Sequence, residues 1–65
     1  MNIEDLAAKV MGMATEAAVR LIVADGGEVR VVAEDGQHRG ITYDWVANRL
    51  NLDVVAGRVV KASIG

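Results

Sequence analysis

The chain has 65 residues, of which 52% are hydrophobic, and a formal net charge of −2 at pH 7. This length makes one domain, residues 1–65, with no room for a second core. The absence of cysteine excludes disulfides and cysteine-based metal sites. The net negative charge argues against a nucleic-acid partner, which requires clustered lysine and arginine.

Neither a membrane span nor a secretory leader is predicted. No apolar run is long enough to cross a bilayer, so no membrane partner is expected. The first five residues are acidic where a signal peptide is basic. The compartment stays open, because a cytoplasmic protein and an exported protein that has lost its leader both match this pattern.

A helical apolar stripe predicts one continuous helix over residues 3–23. Asn2 is its N-cap, and Asp25-Gly26-Gly27 ends it. Gly12 interrupts the pattern, and a second helix from about Met13 is the alternative. We prefer the continuous helix, because Met13 and Ala14 offer no capping side chain.

Alternating apolar residues predict three strands after the helix. The first covers Glu28–Glu34 and is followed by an Asp35-Gly36 turn. The second covers Arg49–Val55, and the tight turn Ala56-Gly57 joins it to a third, Arg58–Ile64. The predicted fold class is α+β, in which a single helix packs on a small mixed sheet. A long exposed loop joins two parallel strands, and a β-hairpin ends the chain.

Residues 37–47 have no sustained periodicity and are predicted to be mainly loop. Loops of this length in so small a domain are functional or disordered. The loop holds Tyr43 and Trp45, the only aromatic residues of the chain. The spacing lets Arg49 fold back and brace the loop on Thr42 and Asp44. A braced, exposed loop with one prominent side chain is typical of a protease inhibitor.

This pattern resembles the potato inhibitor type I family of serine protease inhibitors and its microbial elastase-inhibitor relatives. The residues that carry the resemblance are Ile41-Thr42-Tyr43-Asp44-Trp45, Asn48-Arg49-Leu50-Asn51, Gly57-Arg58-Val59 and Gly65. The resemblance implies inhibition of a subtilisin- or chymotrypsin-like serine protease, without a cofactor or a metal.

The resemblance also implies roles for individual residues. Tyr43 is the P1 residue, which enters the primary pocket of the protease, and Tyr43–Asp44 is the reactive bond. Thr42 is P2, and Trp45 is P2′. Arg49 donates charge-assisted hydrogen bonds to the Asp44 carboxylate and the Thr42 hydroxyl. The implied protease-binding loop consists of Gly40, Ile41, Thr42, Tyr43, Asp44 and Trp45.

Support for the loop is implied from the second strand, by Arg49 and by the residue at position 51. Family members often carry a second supporting arginine there. This chain has Asn51 instead, as the microbial relatives often do.

Simpler interpretations stay open beside these roles. Tyr43 is alternatively an ordinary exposed turn residue, Thr42 an ordinary β-former, and Trp45 a cap over the sheet edge. His38 has no second histidine or cysteine nearby, so no metal site is predicted. The alternative function is a non-inhibitory interaction module, such as a homodimer formed through a strand edge or the methionine-bearing helix face. An enzyme is not expected.

Overall fold

The computed structural model describes residues 1–40 and 43–65. It has the predicted α+β class, with helices packed on one face of a mixed four-stranded sheet. The helices are α1 (Ile3–Lys9) and α2 (Thr15–Ala24). The strands are β1 (Glu28–Glu34), β2 (Gln37–His38), β3 (Arg49–Val55) and β4 (Arg58–Ile64).

The prediction of one continuous helix is wrong, because the helix is interrupted around Gly12. Gly12 has a φ of +79°, which no helix accommodates. Its N–H donates to the Val59 carbonyl at 2.8 Å, and the Val59 N–H donates to the Met13 carbonyl at 2.9 Å. The Thr15 N–H donates to the Gly57 carbonyl. Strand β4 and the turn before it therefore satisfy main-chain groups at the start of α2, and no capping side chain is needed.

Replacing Gly12 with alanine is expected to destabilise the protein by about 1–2 kcal/mol, because a Cβ is strained at positive φ. The added Cβ itself meets no atom within 4 Å. Gly40→Ala is the matched control, since Gly40 also has open space around it but no positive φ. Urea unfolding measures both variants. Equal stability of the two would contradict this account of the helix break.

The sheet has the strand order β2-β1-β3-β4. Strands β1 and β3 are parallel, as predicted, and β3 and β4 form the predicted antiparallel hairpin. Strand β2 was not predicted, and it pairs antiparallel with β1 through only two residue pairs. Val32 and Val60 are extra residues at bulges, where the register of β1 against β3 and of β3 against β4 shifts.

Both hairpin turns use two successive residues with positive φ, as type I′ turns require. These are Asp35-Gly36 and Ala56-Gly57, at the positions that the sequence predicts. The turns contact each other, because Asp35 Oδ1 accepts the Ala56 N–H at 2.8 Å. This bond fixes one end of the sheet, away from the long loop.

The core is aliphatic and lies between the helices and one face of the sheet. Its fully buried members are Leu6, Val10, Ala18, Ile22, Leu50, Leu52, Val54 and Val59. The predicted helical stripe supplies half of this set, and the inward positions of β3 and β4 supply the rest. The alternate residues of β1 and β3 therefore lie on the opposite face of the sheet, beside the loop. They include Arg30, Arg49 and Asn51.

Candidate functional site

The loop between β2 and β3 is tied to the sheet at both ends. At its start the Arg39 N–H donates to the Val32 carbonyl at 2.9 Å. At its end the Asn48 carbonyl accepts the Glu28 N–H at 2.8 Å, and the Asn48 side chain donates to the Gly26 carbonyl. Both ends of the loop are thus fixed by main-chain groups of β1 and of Gly26, which precedes β1.

Two residues of the predicted binding segment, Ile41 and Thr42, lie outside the described residues. The hydrogen bond from Arg49 to the Thr42 hydroxyl stays a prediction for this reason. Gly40, just before them, is exposed.

Arg49 is the buried centre of the site, with a relative exposure of 9%. Its Nε and Nη2 both donate to the Gly65 main-chain oxygen, at 3.2 and 2.6 Å. Nη2 also donates to the Asp44 main-chain oxygen at 3.1 Å, and Nη1 lies 3.5 Å from Asp44 Oδ2. The contact with Asp44 is the one that the spacing predicts. The contacts with Gly65 were not predicted, and they join the loop to the end of β4.

Main-chain bonds of Gly65 reinforce this junction. Its oxygen also accepts the Val46 N–H at 3.2 Å, and its N–H donates to the Arg49 carbonyl at 2.9 Å. The segment from Asp44 to Val46 is therefore held on both sides, by the Arg49 guanidinium and by Gly65.

Arg30 is a second arginine beside the Asp44 carboxylate, and the loop sequence does not indicate this contact. Its Nη1 lies 4.0 Å from Asp44 Oδ1, and its Nε donates to Asn51 Oδ1 at 3.0 Å. Asn51, predicted as direct loop support, instead contacts the side chain of Arg30. The parallel register pairs Arg30 with Asn51. The strand pattern alone shows Arg30 only as one polar residue among several.

Tyr43 and Trp45 flank Asp44 and both project outward. The Tyr43 side chain has a relative exposure of 101%, and that of Trp45 is 68%. At this exposure Trp45 does not fold over the sheet edge as a cap on the core. The indole instead rests on Gly65, where an added Cβ would lie 2.9 Å from Trp45 Cδ1 and 3.1 Å from Nε1.

Replacing Gly65 with alanine is therefore expected to displace the indole. The new Cβ would overlap Trp45, and a φ of +131° strains any side chain at that position. Trp45 is the single tryptophan, so acrylamide quenching of its fluorescence reports the change directly. We expect stronger quenching in Gly65→Ala than in wild type. Ser63→Ala, at an exposed position of β4, is the control. Unchanged quenching in Gly65→Ala would show that the indole does not rest there.

No metal centre competes with the loop among the described residues. Among residues 1–40 and 43–65, no group of three or more His, Cys, Asp or Glu side chains is placed to hold a metal ion. His38 is exposed on β2. Within the same ranges, no helix is long and apolar enough to cross a membrane.

The fold and site together define a small α+β domain that carries a braced loop with two exposed aromatic side chains. Comparison of this chain with family models, with curated proteins and with solved structures finds no match.

Proposed function

We propose that this protein is a serine protease inhibitor that presents the segment around Tyr43–Asp44 as a substrate-like loop. Tyr43 is the P1 residue, Asp44 is P1′ and Trp45 is P2′. Gly40, Ile41 and Thr42 complete the binding segment before the reactive bond. The proposal rests on the resemblance of the loop sequence to the potato inhibitor type I family, together with the geometry around Asp44.

The observation that carries the proposal is the contrast between the exposed side chain of Tyr43 and the fixed position of the next residue, Asp44. The side chain of Tyr43 is fully exposed and touches little of its own protein. The next residue, Asp44, is held through its main-chain oxygen and its carboxylate by Arg49. A free side chain on a fixed backbone is what a protease pocket requires of an inhibitor, because little conformational entropy is lost on binding.

The same contacts account for slow hydrolysis. Attack of the protease serine on the Tyr43 carbonyl would break the Tyr43–Asp44 bond and free the Asp44 amine. Arg49 and Gly65 would keep that amine close to the acyl-enzyme, since both hold the segment from Asp44 to Val46. The amine can then attack the ester and restore the bond, so religation competes with hydrolysis.

The exposed phenol of Tyr43 favours proteases whose primary pocket accepts a large aromatic side chain. Subtilisin-like and chymotrypsin-like enzymes have such pockets. Trp45 adds a second aromatic surface on the other side of the reactive bond, and aromatic residues are frequent contributors of binding energy at interfaces.

The test is a titration of subtilisin and of chymotrypsin with the purified protein, followed by residual activity on a chromogenic peptide. Loss of activity that saturates at one inhibitor per enzyme supports the proposal. Full activity of both enzymes at a large excess of the protein overturns it for these two classes.

A second candidate function is a non-inhibitory interaction module that forms a homodimer. Exposed apolar residues near the β4 edge favour it: Met11 and Val60 are 46% and 47% exposed and are chain neighbours of the hydrogen-bonded pair Gly12 and Val59. Light scattering distinguishes the candidates. A mass that doubles with concentration, without inhibition, favours the module, and a constant monomer mass argues against it.

A further inference from the structure

We propose that Arg30, on β1, is a positioning residue of the loop, replacing the second arginine that the resemblance places at position 51. This inference rests on the proposed function, since it assigns Arg30 to the same reactive segment. It concerns a residue that no feature of the loop sequence indicates.

The position of Arg30 is set by the parallel pairing of β1 and β3. Arg30 and Asn51 are register partners, so their side chains lie next to each other on the face opposite the helices. Asn51 Oδ1 accepts the Arg30 Nε–H at 3.0 Å. That bond directs the guanidinium along the sheet toward the loop, where Nη1 reaches Asp44 Oδ1 at 4.0 Å. Asn51 thus acts on the loop through Arg30.

The two oxygens of the Asp44 carboxylate face arginines on different strands. Oδ1 faces Arg30 of β1, and Oδ2 faces Arg49 of β3. Two cations on separate strands restrict rotation of the carboxylate more than Arg49 alone does. The Asp44 side chain is 55% exposed, so the contribution of Arg30 is partly screened and is expected to weaken as salt increases.

Arg30 is expected to affect the steps after cleavage of the loop rather than the initial binding of the protease. Binding of the intact loop depends mainly on Tyr43, whose side chain is fully exposed. Once the Tyr43–Asp44 bond is broken, the new amine belongs to Asp44, and both arginines retain its side chain. Loss of Arg30 would therefore favour release and hydrolysis over religation, with little change in the initial inhibition constant.

The experiment compares Arg30→Gln with Arg20→Gln, which makes the same charge change at an exposed position of α2. Three quantities are measured for each: the initial inhibition constant, the cleavage rate at Tyr43–Asp44 by mass spectrometry, and the fluorescence anisotropy of Trp45. In Arg30→Gln we expect about two- to fivefold faster cleavage, the range for losing one exposed ion pair. We also expect lower anisotropy and an inhibition constant within about twofold of wild type, because encounter depends on Tyr43.

The exchanged pair Arg30→Asn with Asn51→Arg tests the mechanism more sharply. It moves the guanidinium by one strand, about 4.8 Å, and keeps the composition unchanged. If Arg30 positions Asp44, the exchange restores slow cleavage that Arg30→Asn alone has lost. Thermal unfolding of all variants identifies any that lose the fold.

The outcomes separate the two proposals. Equal cleavage rates and anisotropies in Arg30→Gln and Arg20→Gln would overturn the role of Arg30. An exchange that cleaves as fast as Arg30→Asn would also overturn it. If wild type inhibits neither protease, the proposed function fails, and the cleavage rate and the Trp45 anisotropy still decide whether Arg30 orders the loop.

Discussion

Replacing Tyr43 with glycine is expected to weaken inhibition by at least about thirtyfold, the effect of removing a central interface residue. The variant removes the whole side chain that would enter the primary pocket. It should leave the melting temperature unchanged, because the phenol is fully exposed in the free protein. Inhibition constants against subtilisin and chymotrypsin, with a thermal scan, measure both effects.

Tyr43→Phe is the matched control for this prediction, since it keeps the ring and removes only the hydroxyl. It should inhibit nearly as well as wild type. Tyr43→Asp should inhibit as poorly as Tyr43→Gly, because a charged side chain does not suit an apolar pocket. Wild-type inhibition by either weak variant would exclude Tyr43 as the P1 residue.

Replacing Arg49 with glutamine should change both stability and function. The guanidinium is buried and donates to Gly65 and to the Asp44 main chain. Loss of these charge-assisted bonds is expected to destabilise the fold by about 2–3 kcal/mol. It should also release the segment from Asp44 to Val46, so that the inhibitor becomes an ordinary substrate and is cut rapidly. Urea unfolding and the time course of cleavage measure the two effects.

Arg49→Lys distinguishes charge from geometry. Lysine keeps the positive charge near Asp44, but it cannot supply the several directed donors that Arg49 uses. We expect Arg49→Lys to be cleaved faster than wild type, and Arg20→Gln to behave as wild type. Slow cleavage of Arg49→Gln would show that the loop does not depend on this arginine.

The strands and turns could be predicted from the sequence because their signals are local. Alternation in Glu28–Glu34, Arg49–Val55 and Arg58–Ile64 gives the three long strands with their observed bounds. Asp35-Gly36 and Ala56-Gly57 give the two turns. Each of these patterns follows from the two-residue period of a strand or from the φ that a tight turn requires.

Gly12 indicates the helix break as an alternative, but the sequence could not favour it over a continuous helix, because the partners of the break are distant in sequence. Met13 and Ala14 carry no capping side chain, which favours a continuous helix when only neighbours are considered. The missing partners are the main-chain groups of Gly57, in the turn before β4, and of Val59 on β4. Only the folded sheet brings them to the start of α2.

The site could be predicted only in part, because some of its contacts also join residues that are distant in sequence. Arg49 and Asp44 are close in sequence, so their contact follows from spacing. The contributions of Arg30 and Gly65 depend on the pairing of β1 with β3 and of β3 with β4. These contacts follow from the register between paired strands, and the residue pattern of a single strand does not reveal that register.

The most direct test of the central claim is the fate of the Tyr43–Asp44 bond during prolonged incubation with a sensitive protease. Mass spectrometry of the chain follows cleavage while residual activity is measured in the same samples. We expect one slow cut between Tyr43 and Asp44 while the protease remains inhibited, and partial resealing when the cut protein is returned to fresh enzyme. Rapid cleavage at several positions with full protease activity would contradict the account.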